Sequence, residues 1–319
     1  MPALAEYVRP EVLPRIAGEA MLRVREGRFQ RWLSLIAGLS SLLSGLEVSY
    51  EHYRGSYSRR IMYTPLISSA ALVAAGVAGF RNRWAARTVL PAVSVITLAN
   101  CGLGFYFHIR GIQRKPGGWR IPVFNLIMGP PVFAPVLFGI AAYLGLVASF
   151  LRRGGAAGEH GIPKPALREH WAHRLAGGFE RIGRAQDIRE GGFQKQMALA
   201  AALSSFLSGF EALYSHYKNN FRYKVQWSPI VVAPLLAASG IAAVKSRRAA
   251  HTLLPAASVA ALVTGGIGFV YHSRGVLRRP GGMKMPLYNL MYGPPVFAPL
   301  LFAASGFLGL LASILRRRP

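Results

Sequence analysis

The first membrane-length stretch of this chain occurs twice. Residues 29–53 read FQRWLSLIAGLSSLLSGLEVSYEHY, and residues 193–217 read FQKQMALAAALSSFLSGFEALYSHY. The similarity continues without a gap to Arg153 and Arg317, always at an offset of 164 positions. A repeat of this length constrains the architecture, because each copy is expected to fold in the same way. We therefore predict two tandem units, residues 29–153 and residues 193–319.

The composition indicates an integral membrane protein. Of the 319 residues 52% are hydrophobic and only 16% are charged, with 38 Lys and Arg against 12 Asp and Glu. Soluble domains carry about 25% charged residues, whereas long apolar runs separated by basic loops are typical of membrane proteins. The basic residues lie in short loops and form no stripe with exposed aromatic residues, so we do not interpret them as a nucleic-acid site.

Each half contains four apolar runs long enough to cross a bilayer. About twenty helical residues span the hydrocarbon core, and these runs are too long and too uniform for the strands of a barrel. The fold prediction is all-α, with eight transmembrane helices arranged as two parallel four-helix repeats, because an even number of spans returns the chain to its starting side. The predicted spans are approximately Trp32–Tyr50, Met62–Phe80, Thr88–His108, Val132–Phe150, Gln196–Tyr214, Pro229–Val244, Thr252–His272 and Val296–Leu315.

The distribution of Lys and Arg predicts the orientation. These residues are more numerous on the side that holds both termini, so the positive-inside rule places the termini in the cytoplasm and the other loops in the periplasm of a bacterial inner membrane. Residues 1–28 are then a cytoplasmic N-terminal segment. Residues 154–192 are a cytoplasmic connector, and we expect both segments to lie on anionic lipid.

Four histidines recur at the outer ends of the first and third spans of each half: His52, His108, His216 and His272. His52 follows Arg31 by 21 residues and His108 follows Arg87 by 21 residues, so the two imidazoles end at the same depth. Two imidazoles at one depth on neighbouring helices can hold a haem iron from opposite faces. We predict up to two b haems, each bound within one half or, alternatively, between halves with His52 opposite His272.

Residues near the histidines are candidate parts of the same site. Small residues on the same helical faces are interpreted as space for a flat macrocycle; they are Gly45, Gly104, Gly209 and Gly268. Arg110 and Arg274 lie just past the histidines and are expected to pair with haem propionates. The alternative is that the histidines bind no cofactor and belong to an aromatic belt at the membrane interface.

Glu47 and Glu211 are carboxylates inside the outer ends of the first spans. An intramembrane carboxylate is a functional candidate by default, here as a proton relay that serves a quinone. The alternative is a structural ion pair with a loop arginine such as Arg54 or Arg60.

These features favour a membrane electron-transfer subunit that links a periplasmic partner protein to the quinone pool. The basic outer loops are expected to dock an acidic partner. One alternative is a cofactor-free scaffold or assembly subunit of a larger membrane complex. A further alternative is a transporter built from parallel repeats, for which the sequence lacks the broken helices and buried mid-membrane charges that such a protein uses.

Overall fold

The computed structural model describes residues 28–154 and 192–316, and all regular secondary structure in these two ranges is helical. The helices of the first half are α1 (Arg28–Arg54), α2 (Thr64–Arg81), α3 (Arg83–Arg87), α4 (Val89–Gln113), α5 (Pro122–Ile127) and α6 (Ala134–Gly154). Short 3₁₀ helices occupy Arg60–Tyr63 and Gly118–Arg120. The predicted segment 1–28 and connector 154–192 lie outside the described residues, apart from their boundary positions.

The second half follows the same order of elements. Its helices are α7 (Gly192–Lys218), α8 (Ser228–Lys245), α9 (Arg247–His251), α10 (Leu253–Leu277), α11 (Pro286–Tyr292) and α12 (Ala298–Leu315), with 3₁₀ helices at Lys224–Trp227 and Gly282–Lys284. Every helix of the second half begins 164 residues after its counterpart in the first.

Seven helical stretches in the described part of the chain are long and apolar enough to cross a membrane. They are α1, α2, α3 with α4, α7, α8, α9 with α10, and α12. The remaining candidate, α6, has a described apolar stretch of only Ala134–Ser149. The all-helical membrane character therefore agrees with the sequence, and apolar helices of this kind suit a lipid bilayer. The eighth span and the tandem membrane repeat remain predictions.

Each half forms a four-helix bundle. In the first half α1 and α4 each pack against both α2 and α6; in the second, α7 and α10 each pack against both α8 and α12. Glycines allow the closest approaches: a Cβ at Gly76 would lie 2.6 Å from the Ser34 carbonyl oxygen, and one at Gly240 would lie 2.6 Å from that of Ala198. Close packing of small residues is a main source of helix association in lipid, so these glycines hold the first two spans together.

The two halves share one core. Helix α6 contacts both α7 and α12, and buried apolar side chains of the two halves, such as Leu144 and Leu308, belong to one continuous cluster. On the predicted outer side, α5 lies against α7 and α11 lies against α1. The outer ends of the first spans therefore lie next to elements of the opposite half.

The glycine-rich outer loop has a structural explanation. Gly117 and Gly118 have φ values of 78° and 47°, which glycine adopts far more readily than other residues. The buried Asn125 side-chain amide donates hydrogen bonds to the carbonyl oxygens of Pro116 (3.0 Å) and Gly118 (2.8 Å). Asn289 makes the same two contacts in the second half. The Pro-Gly-Gly turn and the asparagine that follows it thus form one closed loop.

Candidate cofactor site at the outer helix ends

His52 and His108 line one groove in the first half. The groove lies between α1, α2, α4 and α6, is open to the surface and has a cavity volume of about 90 Å³. Most of its lining is apolar, with side chains such as Val48, Phe107 and Phe138. Both imidazoles are half-buried and lie at the edge of this apolar space.

Three of the four histidines are held by a backbone carbonyl through Nδ1. His108 Nδ1 lies 2.5 Å from the Pro131 oxygen, and His272 Nδ1 lies 2.5 Å from the Pro295 oxygen. His52 Nδ1 lies 2.8 Å from the Met62 oxygen. A carbonyl only accepts, so Nδ1 carries the proton in each case and Nε2 is left as the nitrogen that can bind a metal. Histidines that bind metals usually have their other nitrogen fixed in this way.

These carbonyls lie just before helices. Met62 belongs to the 3₁₀ turn that precedes α2, and Pro131 and Pro295 lie in the non-helical segments that precede α6 and α12. The imidazoles are hydrogen-bonded to these carbonyls. The same bonds therefore have a structural use that needs no cofactor.

His216 and His272 face each other in the second half. Their ring centroids are 6.3 Å apart and their planes are inclined by 87°. Imidazole nitrogens bind a metal at about 2 Å, which places two opposed rings roughly 6 Å apart, centroid to centroid. The His216 imidazole makes no hydrogen bond to another described residue, unlike that of its counterpart His52. The structure thus pairs the histidines within each half, and it shows no contact between His52 and His272.

A strained turn brings an aromatic ring against each first-span histidine. Ser56 and Tyr57 both have positive φ, as do Asn220 and Phe221 at the equivalent positions. Such backbone is unfavourable for residues other than glycine and is often found at functional sites. Here it is held by a hydrogen bond from Tyr57 N–H to the His52 carbonyl (3.0 Å) and by stacking of Tyr57 on Tyr63 at 4.4 Å.

The glycines do not provide the space that the sequence suggested. A Cβ at Gly45 would lie 2.1 Å from Ser69 Oγ, and one at Gly209 would lie 2.3 Å from Ala233 Cβ. Their interpretation as space for a macrocycle is therefore wrong, because α2 and α8 fill that face. Gly104 does line the groove, but it and Gly268 primarily admit Pro135 and Pro299, whose Cβ atoms lie 3.1 and 2.9 Å from the added Cβ.

Arg110 and Arg274 lie two residues beyond the third-span histidines and are exposed. Neither guanidinium forms an ion pair with a carboxylate among the described residues. Both remain available to an anionic group that extends out of the groove.

The two glutamates contact the opposite half of the protein. Glu211 accepts a hydrogen bond from the Phe133 N–H at 2.9 Å, and Glu47 interacts with the N–H of Phe297. Both phenylalanines lie next to the first residue of a last-span helix, so each carboxyl caps the helix of the other half, where the helix dipole favours negative charge. The alternative ion pair of Glu47 with Arg54 is wrong, because Arg54 pairs with Glu51 at 3.1 Å.

The arrangement fits the donor chemistry of a bis-imidazole site. No group of three or more His, Cys, Asp and Glu that could hold a metal ion occurs within residues 28–154 and 192–316, so a site with several protein ligands is not indicated there. In the first half, two histidines whose Nδ1 atoms are bonded to carbonyls line one apolar groove, an arrangement compatible with two imidazole ligands to one metal. No protein-family model, curated protein or solved structure matches this chain.

Several contributors to the site were missed at the sequence level. They are backbone atoms, namely the Met62, Pro131 and Pro295 carbonyls and the Phe133 N–H. The groove also contains Thr64, which donates to Asn100 Oδ1 at 2.8 Å; Asn100 was overlooked because Thr264 takes its place in the other half.

Proposed function

We propose that this chain is an electron-transfer subunit of the bacterial inner membrane that binds up to two b haems. It spans the membrane eight times as two parallel repeats, with both termini in the cytoplasm. The observation that carries the proposal is the approach of His216 and His272 to a ring separation of 6.3 Å, at the ends of two helices that the repeat places at equal depth. A haem with two imidazole ligands supplies one-electron transfer.

The protein would hold each haem with residues of one half. His52 and His108 would ligate the first haem and His216 and His272 the second, through Nε2. The hydrogen bonds to the Met62, Pro131 and Pro295 carbonyls orient three of these rings before a ligand arrives. Arg110 and Arg274, exposed at the ends of α4 and α10, would bind the propionates.

The position of the groove at His52 and His108 determines which partners the subunit would serve. In the proposed orientation it opens near the periplasmic surface, beside loops rich in Arg and Lys that would attract an acidic partner protein. The apolar lining of the groove at His52 is suited to exchange with a membrane quinone. The protein would thus connect a periplasmic partner with the quinone pool, and its role in catalysis would be that of a subunit of an oxidoreductase.

A cofactor-free scaffold is the second candidate, and one observation favours it directly. Three retained residues of α4, Gly104, His108 and Gly111, all contact the retained proline segment through Pro135, Pro131 and Pro130. Gly268, His272 and Gly275 repeat these contacts in the second half. Helix packing alone would account for this pattern.

Haem content of single variants separates the two candidates. We expect the purified protein, expressed with a haem precursor, to contain up to two haems, and His272→Ala to lose one of them. His108→Ala should lose the other. The control is His251→Ala, at the opposite end of the span, which should lose none. If the histidine variants fold and contain as much haem per chain as the wild-type protein, or if the wild-type protein contains none, the result would support the scaffold.

A further inference from the structure

Both first-span helices carry the same stripe of polar residues. Ser44, Glu47 and Tyr50 follow one another at intervals of three in α1, and Ser208, Glu211 and Tyr214 do so in α7. Residues three apart lie on the same face of a helix. Each helix therefore presents a serine, a carboxyl and a phenol on one side, inside the outer end of the span.

The two stripes meet where the halves join. Glu211 is bound to Phe133 of the first half, Glu47 interacts with Phe297 of the second, and the two carboxyls are close enough to repel each other. Neither helix α6 nor α12 brings a side-chain cation to the pair; both supply backbone N–H groups. The other titratable or charged groups around it are Tyr50, Glu51 and Arg54 of α1, Tyr214 and Lys218 of α7, Lys115 after α4, and Tyr292 of α11.

The two carboxyls have unequal hydrogen-bond partners. Glu211 Oε1 receives the Phe133 N–H at 2.9 Å and the Tyr214 hydroxyl at 3.3 Å. On the other stripe, three buried polar atoms have no partner among the described residues: Glu47 Oε2, the Tyr50 hydroxyl and Ser44 Oγ. Ser44 is only 1% exposed. Donors stabilise the charged form of a carboxyl, so the environment of Glu211 suits a carboxylate better than that of Glu47 does.

We propose that Glu47 and Glu211 form one proton-binding site shared by the two halves, with the proton on Glu47 and the negative charge on Glu211. Charge on both carboxyls at this buried junction is unfavourable, because like charges repel each other and neither carboxylate is hydrated. Binding of one proton to Glu47 Oε2 removes the repulsion and turns this atom into a donor. The Tyr50 and Ser44 oxygens on the same face offer acceptors that this proton can reach through water.

The site is independent of the haem proposal. It uses no histidine, and both glutamates lie five residues before the nearest one. Its consequence is that separation of α1 from the second half, which would remove the repulsion between the carboxyls and hydrate them, would release the proton from Glu47 as the halves move apart.

Infrared spectroscopy of the full-length protein in lipid vesicles tests the proposal. Near neutral pH we expect a carboxylic-acid C=O band that shifts in deuterated water. Glu47→Gln should remove this band. Glu211→Gln should keep it, and so should the matched control Glu51→Gln, whose carboxylate is exposed and paired with Arg54.

The outcomes that overturn the proposal are distinct. A wild-type spectrum without the band of a protonated carboxyl would by itself overturn the proposal. This result does not depend on whether any variant folds. Loss of the band in Glu211→Gln and not in Glu47→Gln would put the proton on the wrong residue. Loss of the wild-type band on addition of sodium or potassium at constant pH would make the cluster a cation site. Size-exclusion elution of each variant at the wild-type volume verifies that the proteins compared are folded.

Discussion

The pair His216 and His272 allows the structural and the ligand-binding roles of histidine to be measured separately. The two rings are both half-buried and face each other, but only His272 is bonded to a carbonyl, that of Pro295. In protein prepared without haem, His272→Ala leaves this carbonyl without its donor. We expect a loss of about 1–2 kcal/mol in the free energy of unfolding, at the lower end of the range for an unsatisfied group because Pro295 is only half-buried.

His216→Ala removes an imidazole of the same size that makes no hydrogen bond. The free energy of unfolding should therefore fall clearly less than in His272→Ala. A difference of about 1.4 kcal/mol corresponds to a tenfold change in the equilibrium constant, which titration of mixed micelles with a denaturing detergent resolves. With haem present, the two variants should lose the cofactor equally. Equal destabilisation by both substitutions without haem would refute the reasoning, because the bond to Pro295 would then contribute nothing.

Three further predictions concern packing, the outer loop and topology. Gly268→Ala should destabilise the protein by about 1–3 kcal/mol through the clash with Pro299, whereas Gly266→Ala, with no atom within 4 Å of the new Cβ, should be neutral or stabilising in the same thermal unfolding assay. Asn289→Ala removes the donor to two loop carbonyls and should accelerate proteolytic cleavage of that loop, whereas Asn219→Ala, which removes an exposed side chain bonded only to the Ser215 carbonyl, should not; equal cleavage rates would disprove the closing role. Reporter fusions after Gly117 should be periplasmic and fusions after Pro319 cytoplasmic, and the reverse pattern would overturn the orientation.

The spans could be predicted from apolar runs, but their ends could not. The third span was expected to end at His108, and α4 continues to Gln113. Polar and basic residues such as Arg110 can remain helical at a membrane interface, so hydropathy falls before the helix ends. The second span was expected from Met62, whereas a 3₁₀ turn precedes α2 and Pro65 occupies its first turn.

The parts of the candidate site that depend only on the position of a residue along one helix could be predicted from the sequence. Equal spacing from Arg31 and Arg87 led to the pairing of His52 with His108, which share a groove. The contact of Glu211 with Phe133 joins residues 78 positions apart and requires knowledge of how the halves pack. Glycine patterns were misleading for a related reason, because a small residue looks the same in sequence whether it faces a ligand or a neighbouring helix.

The most direct test of the electron-transfer proposal is the reduced-minus-oxidised absorption spectrum of the purified wild-type protein. We expect a Soret band and sharp visible bands of a six-coordinate b haem in the reduced form, because imidazoles would fill both axial positions. These bands should fall by about half in His272→Ala, which retains the site of His52 and His108. A protein expressed with ample haem that shows only aromatic absorption, before and after reduction, would contradict the electron-transfer proposal and favour the scaffold.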